Sequence, residues 1–540
     1  MKRTKVRTGM PIVDARSLYS AEKKRTCDVC IVGAGAAGIY LGVRLARRGV
    51  DVTILEAGGQ VCSDGDSVGF EAELQGRAYR GADEGRAFGL GGTTSRWGGV
   101  LVPHTDHDVR PRENGEFDPW RHIVRVVAEH SDTVLDTLGL RPPLDSDALA
   151  HRHVGEEAEA VASSGLDLQI AQYLPFRRKN LATLLNETSG SGGDVTVLLN
   201  AVAKAWQLST GPKGHSRVSS VQATCGDRGV AVSAQSFVIA AGALESARIL
   251  LEMERQAEVP PFPEEAAIGH HLGDHLSCPI ARIRTEDRDQ AAALFRPRFA
   301  GGRMCYFRLL EDPAPVEAPR SFAHFIFENE SPGFELAKEV LQAFQARSLP
   351  SVSLGDIVRG VKGVAALGWD RYVHSRLHIP SGTPVRLQLD VEQRPDTRNQ
   401  IRLSGREDEH GRPVPVIEWE IRDDDYTAIQ QTARRFLERW PGPEHGLPEL
   451  DLMPDAVSEQ KPHDAYHPVG VCRLGRDREA VVNPQLRVRG TQNLSVLSTA
   501  VFPTAGTANP TFSMLCFAEK LSGRLQEEVV RAGSQRTGVS

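Results

Sequence analysis

The clearest hydrophobic pattern lies near the N-terminus. Val29-Cys30-Ile31-Val32 is a short unbroken apolar run, as in a parallel strand buried on both faces. It ends in the glycine-rich turn Gly33 to Gly38. Beyond it Ala37, Leu41 and Leu45 recur at helical spacing, while Arg44, Arg47 and Arg48 share another face. Val50 to Leu55 then alternates into a second strand that stops at Glu56. The order strand, turn, helix, strand predicts the first crossover unit of a parallel sheet.

Further along, Val195 to Leu199 followed by Asn200-Ala201-Val202 predicts a strand and turn, and Val218 to Val238 a hairpin. Phe237-Val238-Ile239 predicts a buried strand ending on the small residues Ala240, Ala241 and Gly242, with a helix over Ala247 to Glu252. From about Leu276 to Pro454 the pattern changes. Val385, Leu387, Leu389 and Val391 alternate with Arg386, Gln388, Asp390 and Glu392, which predicts a strand with one solvated face. Asn399 to Ser404 and Val416 to Ile421 extend it into antiparallel sheet. Asp423 or Asp424 is placed to cap a helix running to about Trp440, and a last helix is predicted over Thr511 to Glu527.

Composition narrows the function classes. The chain has 540 residues, 40% hydrophobic and 25% charged, which suits two ordinary globular domains. A net charge of -6 with scattered Lys and Arg gives no footprint for nucleic acid. The basic Met1 to Met10 segment is followed by Pro11 and Asp14 rather than an apolar stretch, so no secretory leader or membrane span is expected and the reading is cytoplasmic. Cys27 and Cys30 form a C-x-x-C, but they sit in a buried strand and no second pair completes a zinc set. No metal site is expected.

The turn matches G-x-G-x-x-G. Gly33 permits the tight bend, Gly35 lets backbone approach a pyrophosphate, and Gly38 lets helix and strand pack closely, with Ala36 and Ala37 opening the helix. Glu56, followed by Ala57, is placed to accept hydrogen bonds from ribose hydroxyls. This unit alone fits NAD or FAD. The loop Phe88-Gly89-Leu90-Gly91-Gly92-Thr93-Thr94-Ser95-Arg96-Trp97-Gly98-Gly99-Val100 separates them, because its glycines, hydroxyls and tryptophan suit a diphosphate and a flat ring better than a linker.

This loop resembles the signature of the glucose–methanol–choline (GMC) oxidoreductases. So does the C-terminal third, with Tyr466-His467-Pro468-Val469-Gly470-Val471-Cys472-Arg473-Leu474-Gly475, then Val482 to Val488, Val501-Phe502-Pro503-Thr504 and Asn509-Pro510-Thr511. The resemblance implies an α/β fold in which a Rossmann-like FAD-binding domain (1–110, 190–275 and 455–540) carries an inserted antiparallel-sheet substrate domain (111–189 and 276–454). It implies His467 and Asn509 as the catalytic pair. It also implies cofactor contacts at Gly91, Gly92, Thr93, Ser95, Arg96, Trp97, Gly98 and Gly99, at Val202, Ala241 and Gly242, and at Ser498, Thr499, Ala500, Pro510 and Thr511. Where some members attach FAD to a histidine before the tryptophan, this chain has Arg96, which implies non-covalent FAD; His104 is the nearby histidine to check. Ser498 stands where the family often has aspartate, Leu474 where it has methionine, and Ala247 departs from a second signature.

The chemistry agrees with the resemblance. Oxidising an alcohol requires a base for the hydroxyl proton, and a neutral imidazole at His467 suits that task, with the Asn509 amide holding the substrate oxygen. The amides of Thr511 and Phe512, opening a helix, favour negative charge on the reduced ring. The expected substrate is a sugar, cyclitol, glycoside or secondary-metabolite alcohol, with an apolar alcohol or a non-redox FAD lyase as alternatives. The electron acceptor stays open between oxygen, a quinone and a protein.

Overall fold

The strand Lys24–Val32 sits at the centre of an eight-stranded sheet, and its last four residues are buried as their unbroken apolar run requires. The protein is described by a computed structural model covering residues 12–18, 24–110, 117–188, 192–211, 215–226, 228–453 and 462–537; the basic Met1 to Met10 segment lies outside the described residues. Val52–Leu55, Val195–Leu199 and Ile12–Asp14 follow on one side of the central strand, all parallel. Arg228–Ile239 lies on the other side and continues as an antiparallel meander through Ser216–Cys225 and Val202–Thr210. The short strand Leu494–Val496 pairs with Arg228–Ile239, so the C-terminal third returns beside the N-terminal strand.

The helix Ala36–Arg47 crosses over this sheet and packs against the last helix, Thr511–Thr537. Two of the three arginines on its polar face explain the pairing. Arg44 and Arg48 both bond the buried Glu519 carboxylate, at 2.6 and 2.7 Å, and together they hold its carboxyl below the ordinary range against the cost of burial.

A second, nine-stranded sheet carries Leu166–Tyr173, Arg303–Glu311, Ser321–Phe327, Val385–Glu392 and His275–Ile283 side by side and antiparallel. One of its faces is apolar and is covered by aromatic packing, with Phe325 against Phe295 at 4.7 Å and Trp440 at 5.6 Å. The helix Asp423–Arg439 lies nearby and buries Ile429 and Phe436. Its cap is the backbone of Arg422, whose N–H donates to Asp425, rather than Asp423 or Asp424.

The opposite face corrects the expectation of a solvated strand. Gln388, Asp390 and Glu392 are all 6% exposed or less, so this polar face looks into the protein. The strands Gln400–Glu407 and Pro413–Trp419 also depart from the expected sheet. They form a separate three-stranded sheet with Glu73–Gly76, to which Pro413–Trp419 runs parallel. The helix after Ile239 is longer than its periodicity predicted, running Gly242–Gln256. Among the described residues no helix is long and apolar enough to cross a membrane.

Candidate active site

Where the central strand ends, Gly33 turns the chain at φ 106°, a conformation closed to most residues with a Cβ; that atom would also stand 2.5 Å from the Ala240 carbonyl oxygen. A Cβ on Gly38 would lie 1.9 Å from the Gly33 carbonyl oxygen, whereas one on Gly35 would meet nothing within 4 Å. Two glycines therefore close the turn and the middle one leaves its approach open. The helix Ala36–Arg47 starts at Gly35 without a side-chain cap, so its first amides stay available to an anion.

The turn opens on a cavity of about 650 Å³. Ala36, Ala37, Glu56 and Ala57 line one end; Gly92, Thr93, Arg96, Trp97, Gly98 and Gly99 line its side, opposite Ala241 and Gly242. His467, Ser498, Thr499, Asn509 and Thr511 complete the wall. The Glu56 carboxylate is 6% exposed and accepts the N–H groups of Ala34 and Gly58, at 2.7 and 3.0 Å. Burial pushes its carboxyl up to about 6 in spite of these bonds.

Several expected contacts stand behind the wall instead. Gly38 packs the turn, and a Cβ on Gly91 would meet the Asn180 amide oxygen at 2.2 Å. The Ser95 hydroxyl donates to the Gly92 carbonyl at 2.8 Å. Val202 packs with Phe70 and Phe88, so its neighbours Ala201 and Ala203 reach the cavity in its place. The carbonyl of Ala500 accepts the Cys472 amide, and that of Pro510 accepts the Met514 amide at the start of the last helix. These residues shape the wall without facing the cavity.

The tryptophan loop is held firmly. The Trp97 indole donates to the Lys179 carbonyl at 2.7 Å, and the Gln345 amide donates to the carbonyls of Thr94 and Trp97. Its residues also fit a flavin dinucleotide: Gly98 and Gly242, like Gly35, face open space, and the Ser498 hydroxyl, 1% exposed, has no hydrogen-bond partner among the described residues. Sequence reasoning missed the charges at this cavity. Glu245 joins Arg86 and Arg248 at 3.0 and 2.6 Å, and Arg412 lies 3.8 Å over the Phe70 ring. They come from three separate segments, so no local pattern announces them.

His467 meets Asn509 and one residue that sequence reasoning did not name, His275. The His275 Nε2 lies 2.8 Å from the Gly506 carbonyl, which can only accept, so that nitrogen carries the proton. Its Nδ1 is then an acceptor, and at 3.0 Å it faces the Nδ1 of His467, which must donate. His467 is left with an unprotonated Nε2, to which the Asn509 amide donates at 3.0 Å. Burial and the neighbouring imidazole hold His467 well below the ordinary histidine range, and burial brings His275 down to about 4. Both rings are neutral at pH 7, and the unprotonated nitrogen that faces the cavity side of the pair is the His467 Nε2, with its lone pair held by the Asn509 amide.

A buried carboxylate sets the position of this pair. Asp274 accepts the backbone N–H of His467 at 2.9 Å, that of His275 at 2.7 Å and the Tyr79 hydroxyl at 2.8 Å. Burial beside Asp464 pushes its carboxyl up to about 8. His104 is not available to a flavin. It is 1% exposed, with one ring nitrogen 2.7 Å from the Ser513 hydroxyl and the other 2.9 Å from the Ala505 carbonyl. Among the described residues no group of His, Cys, Asp and Glu could hold a metal ion.

Known proteins resemble the chain. The GMC oxidoreductase family matches residues 395–518, and a family of NAD(P)-binding Rossmann-like domains matches residues 31–94. A paromamine 6'-oxidase of Streptomyces fradiae is 24% identical over 92% of the chain and 90% of the relative. An oxygen-dependent choline dehydrogenase of Pseudomonas savastanoi pv. phaseolicola is 24% identical over 92% and 93%. Among solved structures, a formate oxidase of Aspergillus oryzae RIB40, a variant concerned with FAD modification, shares the fold at a TM-score of 0.56, with 15% identity over 93% of this chain and 98% of that one. With the glycine turn, the tryptophan loop and the histidine–asparagine pair gathered on one cavity, the chain carries a GMC oxidoreductase segment over residues 395–518, is similar over nine-tenths of its length to oxidases and dehydrogenases of alcohols, and is an FAD-dependent oxidoreductase acting on CH–OH groups.

Proposed function

We propose that the protein oxidises one carbinol of a polar small molecule, a sugar, cyclitol, glycoside or secondary-metabolite alcohol, with His467 as the base. The observation that carries this reading is the relay from the Gly506 carbonyl through His275, which leaves the His467 Nε2 lone pair beside the Asn509 amide on the cavity wall. A substrate hydroxyl placed between them gives its proton to Nε2 and keeps its oxygen on the amide. Such a positioned base accelerates the step by ~10²–10⁴-fold. Because His467 is neutral, it needs no prior deprotonation at pH 7.

Glu56, the first amides of the helix Ala36–Arg47 and the loop Gly92 to Gly99 would hold FAD, with Ser498 and Thr499 on the far wall. The chemistry FAD supplies there is acceptance of the substrate's hydride at N5. Thr511 opens the last helix at the cavity, and the positive end of that helix favours negative charge beside it. Arg96 before Trp97, together with the fully engaged His104, supports non-covalent binding. A relative named for paromamine supports a polar, hydroxyl-bearing substrate.

The test is an anaerobic panel of paromamine, glucose, myo-inositol, choline and benzyl alcohol, scored by loss of oxidised-flavin absorbance. Paromamine or a sugar is expected to bleach the flavin, and His467→Ala to keep its FAD while losing roughly 10²–10⁴-fold in reduction rate. Bleaching by benzyl alcohol alone would reverse the substrate class. Wild-type rates in His467→Ala would remove the base.

A further inference from the structure

The strand Val385–Glu392 holds a polar pattern that the catalytic pair leaves unused. Pairing fixes where it points. Asp390 stands opposite Phe322 on one side and Ser277 on the other, and Gln388 stands opposite His324. Paired residues share a face, and residues two apart on a strand share it too. Asp390, Gln388 and His324 therefore lie on the same face as His275, the ring that bonds His467. Asp390 is one diagonal step from His275, about 7–8 Å.

Burial makes this face costly as it stands. Asp390 is 5% exposed, yet its Oδ2 has no hydrogen-bond partner among the described residues. The His324 Nδ1 lies 3.5 Å from it and has none either. Arg308 is already engaged with the Thr507 carbonyl at 2.8 Å and with Gln169, and its guanidinium lies 4.3 Å over the Phe322 ring. An unsatisfied buried carboxylate oxygen is an unfavourable arrangement unless a donor arrives from elsewhere. His324 is the more exposed of the pair, at 19% of its side chain.

We propose that Asp390, flanked by His324 and Gln388, is a substrate subsite that takes a second hydrogen-bond donor, an ammonium or a hydroxyl, carried on a part of the substrate other than the carbon being oxidised. This rests on the polar-substrate reading above. The subsite selects substrates by what they carry beside the reacting carbinol, and it plays no part in the proton transfer itself.

Calorimetric titration of the FAD-loaded protein with paromamine and with maltose, a disaccharide that has hydroxyls only, tests the subsite directly. Asp390→Asn is expected to weaken paromamine by about 10-fold or more, the loss of a charge-assisted bond. If an ammonium sits there, maltose loses much less; an equal loss assigns a hydroxyl. The wild type is also expected to lose paromamine affinity as pH falls through about 6, where buried Asp390 takes its proton. The groups facing Asp390 are Arg308, His324, Tyr306, Cys278, Ser277 and Gln388, and burial holds the Tyr306 and Cys278 protons on across that range. Burial and the nearby arginines hold His324 down at about 3, so it stays neutral across that range. Asp390→Asn should lack this acid limb, which a merely structural role would leave in place. His324→Gln, expected to cost roughly 3–10-fold, serves if the first variant does not fold. Wild-type affinity for both compounds in Asp390→Asn, retention of the acid limb, or no binding of either compound to the wild type would overturn the proposal. Lost binding in the variant, together with a wild-type flavin that neither compound bleaches, would leave the subsite standing and defeat the substrate class instead.

Discussion

The two ends of the cavity are built from different materials. At the dinucleotide end the wall is mostly backbone, set by Gly33, Gly35 and Gly38 and by the loop Gly92 to Gly99, with Glu56 the main ionisable side chain. At the reaction end the work falls to side chains: the rings of His467 and His275 meet across 192 residues of sequence, and the Asp274 carboxylate holds the backbone N–H groups of both. A backbone site depends on the absence of atoms, so adding one is its most damaging change. A side-chain site depends on the protonation of its neighbours, so its sensitive changes are those that shift a proton.

The largest expected effect follows at the dinucleotide end. Gly38→Val puts a branched side chain where even a Cβ would meet the Gly33 carbonyl at 1.9 Å, and backbone cannot yield as a flexible side chain would. The variant is expected to purify without FAD, or to collapse during expression, as read by the flavin absorbance per protein. A yellow protein with wild-type stoichiometry would show that the cradle does not depend on that glycine and would dissolve the contrast between the two ends.

A smaller effect is expected at the reaction end. His275→Leu removes the acceptor of the His467 Nδ1 proton and leaves a buried donor unpaired, at about 1–3 kcal/mol. That corresponds to roughly 5–150-fold in flavin reduction rate. It also frees His467 to hold its proton on Nε2, the nitrogen that has to be bare. His275→Asn, which returns an acceptor to the same side, should recover much of the rate. Equal rates in the Leu variant and the wild type would mean that the tautomer is set by something else.

This difference in materials also decides what the sequence can tell. Glycines at fixed offsets between two apolar runs mark a backbone site locally, and the turn, the helix after it and Glu56 are where that pattern puts them. His467 and Asn509 were legible because each opens a turn of a known signature. His275 was not. It is the first residue of the strand His275–Ile283, with no motif around it, and its partner lies 192 residues away. Alternation in Val385–Glu392 told that the two faces differ, but not which one meets water, and the polar one turned inward. In the same way the strands after Gln400 carry no sign that Glu73–Gly76, more than 300 residues earlier, is their neighbour.

The smallest effect separates the two ends by pH. His275 is depressed to about 4 in the fold, against an ordinary value near 6.5, so the unfolded chain takes its proton first as the solution is acidified. Its contribution to stability is complete above pH 6.5 and is lost as pH falls toward 4. His324, held down at about 3, adds in the same direction. Glu56 behaves oppositely: its carboxyl is raised from 4.5 to about 6, so its burial favours folding at low pH and weighs against it as pH climbs through that interval. At the reaction end Asp274, raised to about 8, opposes the histidines over the same interval, so their loss is read as the difference in Tm between wild type and variant across pH 6.5 to 4, roughly 1 °C for each kcal/mol. Replacing His275 by Asn should remove its share of that loss, while Glu56→Gln should leave the slope on the histidine side in place and reduce FAD retention. If the Tm profile were unchanged by His275→Asn, the buried imidazole pair would not be neutral in the folded protein, and the assignment of the unprotonated Nε2 to His467 would fail with it.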